Sequence, residues 1–395
     1  MQLEDLCEHL RIGGAALLEH PAIYSVSPGS VIAPARYAGR GRGAEFVFET
    51  RFVDGEFRRT ALIDSKQSQA NRAEEGLLAA RRRGGPATRI PLIEVRYEGR
   101  EPLFDLNLPH RAFDAHVRFA SQDGEPVVAR EWYRNLRDCT HADLSPLFVT
   151  SPVTVAFGGW DSTRKSGQVR LRGLYVSELF GAVAGGNEAL SRRSGARLDP
   201  LGQDFNVSPD GLWRLLDRQR EHLSPKKVKE IENTVERARK KAKDGEDAPM
   251  LSAAVLNLGG IPPSTEAPFG VSVPEVRRVR TFSLAGLRRL RFGGNEQEDV
   301  AARGALLAIL LLGAAYADAD PELRAYCDVS APRAEVKLDG APVELDLSLD
   351  ACERFLAWAI AQLPDRLAWQ GQRQVLEGDP LIARGAVEEG TEEGE

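Results

Sequence analysis

Residues 157–173, FGGWDSTRKSGQVRLRG, crowd four cations, a glycine pair, a tryptophan and several hydroxyls into one short stretch of turn-like composition. That chemistry suits a phosphodiester backbone. Arg and Lys meet phosphate, hydroxyl and backbone N–H groups supply further donors, and an indole stacks on a base or ribose. Trp160, Ser162, Arg164, Lys165 and Arg170 are the candidates. A solvated loop with Trp160 as a core anchor explains the stretch equally well, since no spacing in it is diagnostic alone.

A second stretch, DSKQSQANRAEEGLL at 64–78, places Ala70, Ala73, Leu77 and Ala80 at helical spacing. Its opening turns carry hydroxyls, amides and cations, with Ser68, Asn71, Arg72 and Glu75 on one face. Polar donors beside a helix N-terminus make a seat for an anion. Plain capping by Asp64 or Ser65 accounts for the first residues. It leaves Gln69, Asn71 and Arg72 unexplained.

A third stretch, VRRVRTFSLAGLRRLRFGG at 276–294, holds six arginines and no acid. With Leu284, Leu287 and Leu290 as a buried face, at least half of the arginines are expected in solvent, and the missing acids point to a polyanion. SPKKVKEIENTVERARKKAKDGED is a charged helix with interleaved acids, better read as an exposed excursion than as a nucleic-acid contact. Catalytic signals are sparse: no H-E-x-x-H, G-x-S-x-G or Walker-type loop occurs. His110 and His116 flank RAFDA and could form an acid–base pair for RNA cleavage, although ordinary histidines are the commoner explanation.

Elements must position these residues. A short N-terminal helix is followed by strands in SVIAPARY and AEFVFETRFVDGEFRRTALID, the helix from 65, and a strand in IPLIEVRY. PVTVAFGGW reads as a strand, and LYVSELFG, SLAGLRRLRF, 301–317 and ACERFLAWAIAQL read as helices. The DG at 339–340 marks a hairpin. Strands interrupted by helices and long insertions indicate an α+β fold on one sheet. The expected divisions are an N-terminal core part (1–98), an insertion (99–150), core with a binding loop (151–185), a helical basic insertion (186–250), the rest of the core (251–380) and a disordered acidic tail (381–395).

Composition bounds the rest. With 395 residues, 42% of them hydrophobic and 28% charged, the chain can build a sizeable soluble core. The net charge of −6 excludes a uniformly basic coat, and the tail GAVEEGTEEGE contributes five acids of its own. The four cysteines are scattered, which argues against a zinc cluster and a disulfide framework. The acidic start MQLEDLCEHLRIGG is unlike a signal peptide, and the apolar run 304–317 is shorter than a membrane span. A cytoplasmic location is expected, with no cofactor and no metal.

Four blocks, LIDSKQSQANRAEEGLL, VAFGGWDSTRKSGQVRLRGLYVSELFG, LNLGGIPPS and TFSLAGLRRLRFG, together resemble, in this order, the RAMP-superfamily backbone subunit of type I-G (formerly I-U) CRISPR effector complexes (Cascade). The resemblance covers roughly 60–80 and 150–315. It departs at Leu258-Gly259-Gly260, where a more polar turn belongs, and is loose over 186–250. It implies a ferredoxin-like (RRM-type) core with thumb and finger insertions, and copies arrayed as a filament along CRISPR RNA, holding its backbone while bases pair with target DNA. Other type I-G subunits would be partners, and the subunit itself would not be an enzyme. Carried over residue by residue, the RNA contacts would be Lys66, Gln69, Asn71, Arg72, Trp160, Ser162, Arg164, Lys165 and Arg170, with Arg288, Arg289 and Arg291. An RNA-processing endoribonuclease using His110 or His116 is the alternative. Target cleavage by Asp161 is a remote third reading.

Overall fold

A computed structural model describes residues 1–26, 31–38, 44–164, 167–183, 190–194, 197–201, 206–243, 249–261 and 264–384. The fold is α+β, as expected. Its main sheet is antiparallel and runs through β1 (Leu17–Glu19), β2 (Ala22–Ser25), β3 (Phe48–Val53), β4 (Glu56–Asp64), β5 (Tyr175–Ala182), β6 (Glu275–Ser283) and three short strands, β7 (Arg333–Ala334), β8 (Lys337–Leu338) and β9 (Ala341–Pro342). The order is β9-β8-β1-β6-β5-β4-β3, with β2 and β7 continuing the β1 side. Asp54-Gly55 and Asp339-Gly340, all at positive φ, close the β3–β4 and β8–β9 hairpins.

One face of this sheet is covered by two helices, α1 (Lys66–Arg83) and α2 (Glu296–Ala319); a third, α3 (Leu349–Ala361), packs on α2. The connectivity is strand (β1/β2), helix α1, strand β5, strand β6, helix α2, strand (β7/β8), with the β3–β4 hairpin added at the β5 edge. Helices α1 and α2 meet almost backbone to backbone. A Cβ on Gly313 would lie 2.5 Å from the Ala73 carbonyl oxygen, and one on Gly76 would lie 2.8 Å from the Gly313 carbonyl oxygen. Leu77, Leu306, Ile309 and Leu310 are buried around this crossing. Helix α2 is long and apolar enough to cross a membrane, yet 83% of its most apolar stretch is buried in the core. A smaller sheet pairs Leu92–Arg96 in parallel with Arg373–Glu377 and adds short strands from 103–104, 121–122 and 125–126.

Several local expectations are overturned. Pro152–Phe157 is a helix, not a strand: Pro at its start and burial of all six side chains override the β-branched composition. Tyr175–Ala182 is a central strand, not a helix, because the alternation of Tyr175, Ser177 and Leu179 with Val176 and Glu178 serves the two faces of the sheet. Of the basic helix only Leu284–Leu287 is helical; its arginines follow on a turn. The start of the expected tail, Pro380–Arg384, is a short helix, and 385–395 lie outside the described residues.

Residues Leu190–Gly270 form a separate compact unit. It is a helical hairpin of Pro209–Asp217 and Pro225–Lys243 closed around Leu212, Leu216, Ile231 and Val235. The stretch from 251, expected to rejoin the main core, belongs to this unit: Leu251, Val255 and Leu256 pack on its small core.

Candidate nucleic-acid interface

The first turn of α1 is built as the sequence suggests for its cap and otherwise for its interior. Ser65 is the N-cap, its hydroxyl accepting from the Ser68 N–H at 3.2 Å. Asp64 is turned inward instead and is fully buried. Its Oδ2 accepts from Gln69 Nε2 at 2.7 Å and from Arg72 Nε at 3.1 Å, and its Oδ1 faces the guanidinium of Arg324. Gln69 Oε1 accepts from the Ser177 hydroxyl of β5 at 3.0 Å, so both ends of this amide are used inside the protein. Arg72 also donates to the carbonyls of Glu322 and Leu323. Gln69 and Arg72, predicted to face RNA, therefore tie α1 to β4, β5 and the 322–327 segment.

Lys66 and Asn71 remain exposed, and with Gln67 they line a cleft of about 630 Å³. Its other wall is the loop Leu106–Pro109 with Arg111, and its base includes Phe157, Gly173, Tyr175 and Val176. Arg111 joins the walls. Its guanidinium clasps buried Glu74 of α1 at 2.6 and 2.9 Å and donates to the Gly158 carbonyl at 2.9 Å. Burial raises the Glu74 pKa, and the Arg111 hydrogen bonds partly counter it. The backbone of Arg111 is left-handed at φ 49°, which the sequence HRAFDA does not signal.

From the same base springs the hairpin Gly159–Trp160 paired with Arg170–Leu171. Gly158 has φ 94°, and a Cβ there would sit 2.6 Å from the Gly173 backbone nitrogen, so glycine is required at this neck. Trp160 is 44% exposed, and the Arg170 guanidinium lies over its ring at 4.4 Å. The indole is an outward platform, not a core anchor. Ser162 is exposed; Lys165 lies outside the described residues. Arg164 is occupied by Asp138 at 2.8 Å and by the Arg137 carbonyl.

Asp161 is 2% exposed. Burial would raise its pKa, but hydrogen bonds from Thr163 and Arg137 outweigh it and hold the carboxylate below its ordinary range. It shapes the turn, with both oxygens occupied. His116 is engaged by the Tyr97 hydroxyl at 2.7 Å, and His110 is exposed. Among the described residues no cluster of His, Cys, Asp and Glu suited to a metal ion occurs.

The third basic block is mostly neutralised within the protein. Arg278 and Arg280 are 1% and 2% exposed and both pair with Asp318. The strand alternation that buries Val276 and Phe282 carries these two arginines to the same face. The other four arginines reach solvent at least in part, as expected, but three of them are engaged within the protein. Arg277 pairs with Asp54 and Glu275. Arg288 donates to the carbonyls of His9 and Ala15, and Arg291 lies 3.6 Å from Asp299. Arg289 is exposed, and none of 288, 289 and 291 lines the cleft. Gln67, read from the sequence as a capping residue, and Asn107 and Arg111 also line the cleft. Only Gln67, inside the polar helix start, carried a readable signal.

Residues 25–184 match a family described as CRISPR-associated protein GSU0053. The matched span holds β3, β4, α1, the cleft loop, the Trp160 hairpin and β5. No curated protein matches the chain. The family match supports a CRISPR-associated role in defence.

Proposed function

We propose that this CRISPR-associated chain is an RNA-binding backbone subunit of a type I-G effector complex, in which several copies line a guide RNA and present it to target DNA. The observation that carries this is the outward set of Lys66, Gln67 and Asn71 in a wide cleft, beside a hairpin presenting Trp160, Ser162 and Arg170. Donors and a stacking surface spread over an open groove suit recognition of a sugar-phosphate backbone, with sequence delegated to base pairing. The strand–helix–strand–strand–helix–strand connectivity, with both helices on one face, supports a ferredoxin-like core. In this reading the protein works in the cytoplasm, beside other subunits of the complex, without a catalytic step of its own.

The test is the nucleic acid that co-purifies with the protein, sized and sequenced. Several protein copies per guide RNA, with no preference for guide sequence, is the expected result. A one-to-one monomer on a full-length guide would overturn the filament. Cleavage of precursor RNA that disappears in a His110→Ala, His116→Ala variant would replace this reading with the processing enzyme.

A further inference from the structure

The Leu190–Gly270 unit carries a surface that the cleft does not explain. Its long helix, Pro225–Lys243, buries Ile231, Val235 and Ala238. At 100° per residue, Lys226, Lys229, Arg237 and Lys240 fall on the opposite face, with Lys241 on its flank. All five are exposed, and none pairs with a carboxylate among the described residues. The cations nearer the small core are neutralised: Arg220 by Asp217 and Glu232, Lys227 by Glu230, Arg239 by Asp210. On the outer face Glu236 is the one carboxylate left without a cation partner among the described residues. The interleaving of acids in the sequence thus hides a sorting in space. Acids and their partners brace the helical hairpin, while the outer face keeps an excess of positive charge.

We propose that this stripe binds the sugar-phosphate backbone of a nucleic-acid duplex, independently of the RNA cleft. Lys226 and Lys240 are fourteen residues apart, so the stripe runs about 21 Å along a rigid rod. The second helix, Pro209–Asp217, stiffens it through Leu212 and Leu216. No aromatic side chain stands in the stripe, and Trp213 of the unit is covered by the guanidinium groups of Arg220 and Arg239, each 5.3 Å from its ring. Single strands are gripped through aromatic stacking as well as charge. A straight row of cations without a stacking surface matches the fixed phosphate array of a duplex, read by charge and not by sequence.

The test uses the full chain, with fluorescence anisotropy on a 24-base-pair DNA duplex of arbitrary sequence and on a single-stranded RNA across a salt series. Lys229→Gln, Arg237→Gln and Lys240→Gln combined should weaken duplex binding at least tenfold. The log–log salt slope should fall by about 2–3, close to 0.9 for each phosphate no longer neutralised. RNA binding should hold within twofold. A charge-conserving variant (Lys229→Arg, Arg237→Lys, Lys240→Arg) should bind duplex like the parent. A control of equal charge change on the other unit, Arg82→Gln, Arg100→Gln and Arg134→Gln, should leave the duplex slope unchanged. Unchanged duplex binding in the first variant, an equal effect in the control, or a parallel loss of RNA binding would each overturn the proposal. Failure of the parent to bind RNA would count against the cleft reading alone.

Discussion

The side-chain amide of Gln69 donates to the buried carboxylate of Asp64 across 2.7 Å, which fastens the first turns of α1 to the strand before them. Gln69, Arg72 and Arg324 converge on that single carboxylate. Removing it strands their donors in the interior. Asp64→Ala is expected to cost about 3–5 kcal/mol of stability, read from urea unfolding. A midpoint within error of the parent would show that the cluster relaxes at no cost.

The outward residues should behave differently. Trp160→Ala is expected to weaken single-stranded RNA binding by about 1–3 kcal/mol, the worth of one stacked base, with the melting temperature unchanged. Lys66→Ala and Asn71→Ala should each weaken it several-fold, and Lys66→Ala should also flatten its salt dependence. Gln69→Ala should instead show mainly in the melting temperature. If all four variants moved affinity and stability together, the division between outward and inward residues would fail.

Arg111→Ala leaves the buried Glu74 carboxylate without its partner. The expected loss is about 3–5 kcal/mol. Adding Glu74→Gln removes the stranded charge, so the double variant should be more stable than Arg111→Ala alone. A double variant weaker than the single one would mean that Glu74 is not held by this clasp.

Gly313→Ala tests the helix crossing. A methyl group 2.5 Å from the Ala73 carbonyl oxygen has no room. Overpacking of about 1–3 kcal/mol should exceed the gain in helix propensity, about 1 kcal/mol. Circular dichroism during thermal unfolding should report a lower midpoint. A higher one would place the two helices further apart than described.

Asp105, behind the cleft loop, is fully buried, and one of its oxygens has no hydrogen-bond partner. Burial pushes its pKa up to about 7, despite the hydrogen bond from Ser151. The folded state therefore holds a proton that the unfolded chain releases near pH 4. Stability should fall as pH rises from about 4 to about 7 and level off above that. Asp105→Asn should remove this slope, matching the parent near pH 4 and exceeding it at pH 8 by about 2 kcal/mol or more. Parallel pH profiles for the two proteins would rule the mechanism out.

What was legible in the chain was periodic or local. The long apolar helix, the charged helix, the DG hairpin at 339–340 and the Ser65 cap all follow from spacing and short-range chemistry. Strand β5 reads as a helix in sequence because Leu174, just before it, and its own Tyr175, Val176, Leu179 and Phe180 fit helical spacing as well as a two-faced strand. The site was half legible. Residue type marked Lys66, Asn71, Trp160 and Arg170, but the partners that draw Arg72 and Arg278 inward come from far along the chain. Asp318 lies forty residues from Arg278, and the Glu322 carbonyl lies 250 residues from Arg72. Charge read along a sequence cannot see such neutralisation, so the arginine-rich block looked more like a binding surface than it is.

Strands β5 and β6 lie side by side, with Phe180 opposite Arg277, although residues 190–270 form a folded unit between them. Topologically the whole unit occupies the loop of one β-hairpin. Its point of departure and its point of return are neighbours, so closing the loop costs chain entropy that grows only slowly with the size of what is inserted. Such a site tolerates exchange. A larger, smaller or differently charged unit could replace residues 190–270 while the register of the sheet, and with it the cleft on α1, stayed as it is.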